Sequence, residues 1–345
     1  MSELVTILIP CFNAQAYLAE ALDSILRQSY KNLKIIVLDD GSTDQTLTIL
    51  KKYSLLDKRI QVHSHSQNLG IIASRNTLLD LCNTELAAWM DSDDVASPIR
   101  IEKQVEFLTT HQECVACTSN YFKLKHDSKI LVTVPPIYLS AEYRLFYNHI
   151  LNPGSMFRMS VCLKNNIRFR TWISGASDYL FWVELSRFGQ IGLIEEPLMT
   201  YRIHSTQETI AQKSRQSKGC LEIVQSQFKQ IGVEADIQDI ARLLIYPAET
   251  LDMEFLLIHM KRSASIIRSI LTELPHTSYE PTLVEQLLFE MFRRQAWRNG
   301  VAGMFYFVDF YGLSGLQRCN RYGIDLLKQA IGTDFSRLTK LIYAK

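Results

Sequence analysis

The chain has 345 residues, of which 47% are hydrophobic and 21% are charged, a composition typical of a folded protein with a large core and room for a second domain. The 37 basic side chains nearly balance the 36 acidic ones, so a protein that binds nucleic acid through overall charge is not expected. The seven scattered cysteines indicate a reducing compartment, and the pair at 114 and 117 lacks the second Cys or His pair of a zinc site.

Neither a signal peptide nor a membrane span is predicted. The first ten residues carry no basic segment and no small-residue cleavage pattern. The most apolar long stretch, 243–260, is interrupted by Pro247 and by three acidic residues, whereas a span needs about 18 largely uncharged residues. The expected location is therefore the cytoplasm.

The first 122 residues alternate between two patterns. Apolar runs predict strands, and they lie at 4–11, 60–65, 86–91 and 114–122, with a further strand in 33–44 that ends in carboxylates and a Gly-Ser turn. Helical periodicity is found at 17–29, 45–53, 70–82 and 98–111, with Asp44 before the second helix and Pro98 at the first position of the last. Repeated strand-helix units predict a mostly parallel sheet with helices on both faces.

The next segment is less regular. An edge strand is predicted at 130–136, a helix at 141–151, a strongly apolar helix at 177–189 and a strand at 191–204. Residues 206–219 are polar and predict a linker or an exposed helix, and the remainder to Lys345 has mainly helical patterns.

Polar residues follow the predicted strands where each one ends. Asn13 follows the first strand, Asp39 and Asp40 end the second, and the carboxylates of "WMDSDD" (Asp91, Asp93, Asp94) end the fourth. Because the carboxyl ends of parallel strands share one edge of the sheet, ligands bind there. A cluster of carboxylates suits Mg²⁺ or Mn²⁺ carrying a diphosphate. The alternative is an acidic turn in which Asp93 or Asp94 caps the following helix.

These motifs together resemble an inverting family 2 glycosyltransferase with the GT-A fold. The resemblance runs from "ILIPCFNAQAYLAEALDSILRQSYKNLKIIVLDDGSTDQT" through "NLGIIASRN", "WMDSDD", "GSMFR" and "SDYLFW" to "YRIH", and it covers about residues 3–204. It implies a nucleotide-sugar-binding half at 1–120 and an acceptor-binding half at 121–204, while the helical patterns beyond them predict a helical C-terminal region at 205–345.

The resemblance also implies a donor site. Residues beside the nucleotide or its diphosphate would be Pro10, Phe12, Asn13, Asp39, Asp40, Arg75, Asp91 and Arg202. Asp40 would accept a hydrogen bond from the base, as the ring N–H of uracil offers, with Asp39 in support. Asp93 and Asp94 would bind the metal, and His204 is either a further metal ligand or a structural residue.

The expected base is Asp178 of "GASDYLFW", which would take the proton of the acceptor hydroxyl. The family usually has Glu before this Asp, and Ser177 stands there instead, which affects acceptor recognition. Asp178 as a simple helix cap is the alternative. Trp172 would stack on an acceptor sugar, and the alternative is that it packs in the core. Ser155 would lie beside a sugar, and the alternative is that its segment is a plain turn.

The expected activity is that of a hexosyltransferase (EC 2.4). It would move a sugar from a nucleoside-diphosphate donor, with UDP favoured, to a hydroxyl of a saccharide or lipid-linked saccharide in polysaccharide or glycoconjugate biosynthesis. Two other readings stay open at this point: a nucleotidylyltransferase, although "IPCFNAQAY" lacks a Gly-rich basic phosphate loop, and a non-catalytic protein that binds sugar nucleotide or glycan.

The C-terminal third has no motif that assigns a role. Its stretch "EQLLFEMFRRQAWRNGVAGMFYFVDFYG" mixes basic and aromatic residues. A peripheral contact with the inner face of the membrane, packing against the catalytic domain, and homodimerisation are all open for it.

Overall fold

The computed structural model describes residues 3–173, 175–204, 207, 213–244, 253–298 and 310. The chain divides into two compact units, residues 1–220 and 221–345. The first unit contains the sheet and the predicted site, and the second is helical in its described part.

One mixed sheet organises the first unit. Its described strands are β1 (Val5–Cys11), β2 (Leu33–Asp39), β3 (Ile60–Ser64), β4 (Leu86–Trp89), β5 (Val95–Ala96), β6 (Cys114–Lys125), β7 (Ser128–Val132), β8 (Met156–Arg158) and β9 (Gln190–Ile203). They lie in the order β3-β2-β1-β4-β8-β6-β9-β5, with β7 beside β6. Strands β1 to β4 are parallel, and β8 is antiparallel to both of its neighbours.

The described helices of the first unit are α1 (Leu18–Leu26), α2 (Thr46–Leu56), α3 (Ile71–Leu81), α4 (Arg100–Thr110), α5 (Ala141–Arg144), α6 (Met159–Lys164) and α7 (Ser177–Leu185). Helix α8 (Lys213–Gln230) contains the boundary between the units. Helices α9 (Ile237–Leu244), α10 (Met253–Glu273) and α11 (Pro281–Arg298) follow it. No helix among the described residues combines the length and apolar character needed to cross a bilayer.

The central strands are apolar along their whole length because both faces of the sheet are covered. Every residue of β1 and β4 is buried, which explains their unbroken apolar runs. One core contains Ile7, Ile35 and Ala88, and the other, on the opposite face, contains Leu8, Ile36 and Trp89.

Two local predictions were wrong. The helix predicted for 141–151 ends at Arg144, because Leu145 and Phe146 are both fully buried and the chain turns to place them in the core. Pro98 does not begin α4, which starts at Arg100. The Pro98 carbonyl instead accepts a hydrogen bond from the Ser29 backbone N–H at 2.7 Å, so this segment is tied to the loop after α1.

Strands β6 and β7 form a hairpin with a two-residue loop at His126 and Asp127. Asn120 fixes its base: its side-chain amide donates to the Glu195 carbonyl at 2.6 Å and its Oδ1 accepts from the Val134 N–H at 2.8 Å. On the other side β6 runs parallel to β9, which places Lys123 beside Tyr201.

Candidate active site

A cleft of about 700 Å³ opens at the carboxyl edge of the sheet. This volume lies within the usual range of small-molecule sites. Eight of the residues predicted for the donor and metal sites line it: Pro10, Phe12, Asn13, Asp40, Arg75, Asp91, Asp93 and His204. The parallel strands bring these separate stretches of sequence together because their carboxyl ends meet at one edge.

Three carboxylates cluster at the cleft, two lining it (Asp91 and Asp93) and one buried behind them (Asp94). One oxygen from each of Asp91, Asp93 and Asp94 lies within 4.8 Å of the others. Asp94 is fully buried; its Oδ1 accepts from the Arg202 backbone N–H at 2.8 Å, while its Oδ2 has no hydrogen-bond partner among the described residues. Burial, and then the charges of Asp93 and Asp91, raise the pKa of Asp94 well above its usual value.

The helix-cap alternative for Asp93 and Asp94 fails. Helix α4 begins at Arg100, its N-cap is Ile99, and no side chain caps it. A buried carboxylate oxygen without a partner is costly, and a divalent cation is a natural partner for it. The hard oxygen ligands of this cluster therefore fit Mg²⁺ or Mn²⁺.

His204 lies beside the acidic cluster. Its Nε2 is 2.8 Å from Asp93 Oδ2, and its ring centroid is 4.8 Å from that of Tyr17. The geometry is compatible with a metal ligand and with a residue that orients the Asp93 carboxylate.

The Arg202 side chain is held by contacts with other residues of the protein. Its Nε donates to the Asp93 carbonyl at 3.0 Å, its Nη2 pairs with Glu20 Oε2 at 2.6 Å, and its guanidinium lies 4.8 Å from the Tyr17 ring centroid. These contacts connect β9 and α1 to the acidic turn, so Arg202 helps to position Asp93 and Asp94.

Arg75 supplies positive charge beside the acidic cluster. Its Nη2 lies 3.9 Å from Asp91 Oδ1, and its guanidinium carbon lies 5.2 Å from the Phe169 ring centroid. Its Nε is buried and has no hydrogen-bond partner among the described residues.

Arg100 is a buried cation close to the acidic turn. It is completely inaccessible to solvent, and burial lowers its pKa to about 10. Its Nη2 donates to the carbonyls of Trp89 at 2.6 Å and Ser155 at 3.4 Å, and its Nε donates to Gln104 Oε1 at 3.2 Å. The guanidinium thus joins the end of β4, just before Asp91, to the segment that leads into β8.

The loops after β1 and β2 are fastened to each other. Asn13, in a left-handed backbone conformation at φ 47°, donates from its N–H to Ser42 Oγ and accepts from the Thr43 N–H, both at 2.9 Å. Phe12 is about half exposed (48%) on the cleft wall.

The Asp40 carboxylate forms hydrogen bonds with the loop between β3 and α3. Its Oδ1 lies 2.6 Å from His65 Nδ1 and accepts from the Leu69 N–H at 3.0 Å, and its Oδ2 accepts from the Gly70 N–H at 2.8 Å. Asp39 is buried next to it, with Oδ1 3.4 Å from the Ser42 N–H. A Cβ on Gly41, which has φ +68°, would lie only 2.5 Å from the Gln67 carbonyl carbon, so the two loops approach closely here.

The residues predicted for the acceptor side lie outside the lining of this cleft. Asp178 is in the first turn of α7, where its Oδ1 accepts from the Tyr179 N–H at 2.9 Å, and Ser177 beside it is buried. Trp172 lies in the loop before α7 and is 56% exposed, so its ring is accessible for stacking on a sugar. Ser155 is fully buried and donates its hydroxyl hydrogen to the Leu151 carbonyl at 2.7 Å, so its side chain offers no surface to a sugar in this conformation.

Glycine at 175 allows the loop before Asp178 to pack closely. Its φ is +84°, and a Cβ there would lie 2.8 Å from the Gln216 backbone nitrogen at the start of α8. Only glycine tolerates both the conformation and this approach. The loop that carries Trp172 is therefore supported from behind by α8.

Sequence reasoning missed Arg100, Tyr17 and His65. For Arg100 a signal existed: Arg100 and Gln104 are four residues apart and face the core side of α4, although charged and amide side chains normally face solvent. For Tyr17 and His65 no local pattern distinguishes them from surface residues.

Comparison with known proteins gives a consistent assignment. Residues 6–164 match the model of glycosyl transferase family 2. An uncharacterized glycosyltransferase of Haemophilus influenzae is 31% identical over 303 residues, which cover 83% of this chain and 90% of that protein. An uncharacterized glycosyltransferase of Methanocaldococcus jannaschii is 29% identical over 219 residues, covering 62% and 75%.

Solved structures share the fold. TarS 1-349 of S. aureus, in complex with UDP-GlcNAc, superposes with a TM-score of 0.58 at 18% identity, covering 90% of this chain and 89% of that one. Mannosyltransferase PcManGT from Pyrobaculum calidifontis, in complex with GDP-Man and Mn²⁺, gives 0.53 at 13% identity, covering 100% and 88%. With the cleft at the carboxyl edge of the sheet and the acidic turn beside it, these matches establish that the chain belongs to glycosyl transferase family 2 and has the GT-A fold.

Proposed function

We propose that this glycosyltransferase is a hexosyltransferase that moves a sugar from a nucleoside-diphosphate donor, with UDP favoured, to a hydroxyl of a saccharide or lipid-linked saccharide, with inversion. The observation that carries the proposal is the cluster of Asp91, Asp93 and Asp94 at the cleft, with one oxygen of Asp94 buried and without a hydrogen-bond partner among the described residues. The TarS complex with UDP-GlcNAc and the PcManGT complex with GDP-Man and Mn²⁺ support a donor of this class.

The donor would lie across the cleft. Pro10, Phe12 and Asn13 form the wall for the base and ribose, and Asp40 accepts from the base edge through the hydrogen-bonding capacity left on its Oδ2. Asp39 supports Asp40 from below. Arg75 places a fixed positive charge beside the diphosphate. Arg202 acts indirectly, because its contacts position Asp93 and Asp94.

Asp93 and Asp94 would hold a divalent cation, with Asp91 and His204 adjacent to it. When bound, the cation neutralises the charge that develops on the departing diphosphate. Asp178 takes the proton from the acceptor hydroxyl while the hydroxyl oxygen bonds to the anomeric carbon on the face opposite the leaving group. Inversion follows from this single displacement. Trp172 would stack on the acceptor.

The proposed division of the chain follows the same roles. Residues 1–120 would bind the donor, 121–204 the acceptor, and 205–345 would form a helical region whose role is open between membrane contact, packing and dimer formation.

Calorimetric titration with UDP, GDP and TDP, each with Mn²⁺ and with EDTA, tests the donor site. We expect one nucleotide to bind with Mn²⁺ and to bind at least tenfold more weakly with EDTA, because the diphosphate would then meet uncompensated carboxylates. Asp93→Ala/Asp94→Ala should abolish the dependence on Mn²⁺. Asp44→Ala is the control: this carboxylate accepts from the N–H of Gln15 and Thr46 and does not line the cleft.

If no nucleotide binds to the folded protein, the donor proposal is wrong. A protein that binds glycan without turnover would then be favoured, and the buried Ser177 in place of the usual Glu would be its main support.

A further inference from the structure

The basic hairpin, which we define as residues 121–132 of β6 and β7, lies at the carboxyl edge of the sheet. Parallel strands β6 and β9 end side by side, and Lys123 pairs in register with Tyr201, which lines the cleft. The hairpin therefore lies next to the cleft.

The hairpin combines lysines with exposed apolar side chains. Ile130 and Leu131 are 59% and 50% exposed, and because consecutive strand residues point to opposite faces, each face of the hairpin carries one of them. Lys123 shares the face of Ile130, and Lys129 shares the face of Leu131. Lys125 completes the set near the loop.

These positive charges are not neutralised locally. Asp127 is the one acidic residue in the hairpin against three lysines. None of the three lysines forms an ion pair with a described residue; Lys129 Nζ lies over the Phe122 ring, 4.3 Å from its centroid. The surface is thus complementary to an anionic partner.

The exposed outer strand favours a lipid surface over a saccharide. Sugars bind in concave sites with flat aromatic platforms, whereas β7 pairs with β6 at the side of the sheet and its residues 128–131 are all exposed. Exposed apolar side chains on such a strand, with lysines around them, are suited to insertion at the level of anionic headgroups.

We propose that the basic hairpin docks on an anionic phospholipid surface and so directs the cleft entrance toward lipid-linked acceptors. The docking on lipid does not depend on the donor chemistry. Only its purpose, access to lipid-linked acceptors, rests on the proposed function. A binding measurement without nucleotide, metal or acceptor therefore separates failure of one proposal from failure of the other.

Cosedimentation of the full chain with vesicles provides the test. Vesicles would consist of phosphatidylcholine alone or of phosphatidylcholine mixed with phosphatidylglycerol. We expect binding to the mixed vesicles, weakened by salt, and little binding to phosphatidylcholine alone. The triple variant Lys123→Gln/Lys125→Gln/Lys129→Gln should lower the partition coefficient on the order of 100-fold. Each lysine near an anionic surface contributes a similar free energy of binding, and the three contributions are lost together. Ile130→Ser/Leu131→Ser should lower it at least tenfold.

Helix α2 offers a control of the same composition. Lys51 and Lys52 are exposed on this helix and Lys58 is exposed just after it, beside Leu55 and Leu56, which are more exposed than Ile130 and Leu131. This end of α2 lies at the opposite edge of the sheet, because α2 runs back from the carboxyl end of β2 to the start of β3. The corresponding Lys→Gln and Leu→Ser variants should bind mixed vesicles as the wild type does.

Three outcomes would overturn the proposal: no binding of the wild type to mixed vesicles, unchanged binding by the hairpin variants, or an equal loss in the α2 variants. Thermal unfolding of each variant checks that the chain is folded. Retention of the wild type on an anionic polysaccharide resin, without vesicle binding, would assign the hairpin to a saccharide instead.

Discussion

Asp178→Asn is expected to lower the rate of sugar transfer by about 10²–10⁴-fold, the usual contribution of a general base. The amide keeps the size of the carboxylate but cannot take the proton of the acceptor hydroxyl. Because Asp178 lies outside the lining of the donor cleft, the affinity for the nucleotide should not change. Steady-state transfer with a donor and acceptor identified by screening, together with calorimetry on the nucleotide, measures both quantities.

The same helix provides a matched control. Glu184 also lies on α7, and its carboxylate pairs with Arg170 at 3.1 Å. Glu184→Gln removes a charge of the same sign from the same helix, so transfer should remain close to the wild-type rate. Full activity in Asp178→Asn would remove the base assignment and return this residue to the role of a helix-terminal carboxylate, consistent with its contact to the Tyr179 N–H.

Arg100→Met is expected to lower the free energy of unfolding by about 3 kcal/mol or more. The substitution leaves buried acceptors at Trp89 and Gln104 without their donor, each at a cost of about 1–3 kcal/mol, and removes the buried charge near Asp91 and Asp94. Chemical denaturation in the absence of metal measures the effect. Arg100→Lys, which keeps the charge but cannot bridge two carbonyls, should lie between the wild type and Arg100→Met.

Arg59→Met is the control for loss of an arginine. Arg59 pairs with Asp57 at 2.8 Å, but both side chains are about a quarter exposed, so the expected loss is about 0–1 kcal/mol. An Arg100→Met variant as stable as Arg59→Met would show that the buried guanidinium contributes nothing net to the fold.

Much of the first unit could be predicted because its signals are local. The apolar runs of β1, β2 and β4 indicate strands covered on both faces, and the carboxylates that follow them indicate the edge where Asp40, Asp91 and Asp93 meet. The alternation of strands and helices then predicts the parallel arrangement of β1 to β4, which the structure confirms.

The unpredicted features depend on contacts between distant residues. No pattern near Asp40 reveals that His65 and the N–H groups of Leu69 and Gly70 use its oxygens. The early end of α5 follows from burial of Leu145 and Phe146, which tertiary packing decides. The partner of Asp94 Oδ1 likewise lies on a strand more than a hundred residues away.

The pairing of β9 with β6 has a consequence for the order of events during synthesis. Asp94 Oδ1 binds the Arg202 N–H, and β6 exchanges its backbone hydrogen bonds with a strand that begins at Gln190. Translation proceeds from the N-terminus, so the acidic turn leaves the ribosome long before the strand that completes it, and formation of such distant contacts is slow. We expect nascent chains that end at residue 189 to remain sensitive to protease around Asp91–Asp94, and chains that extend past β9 to become resistant.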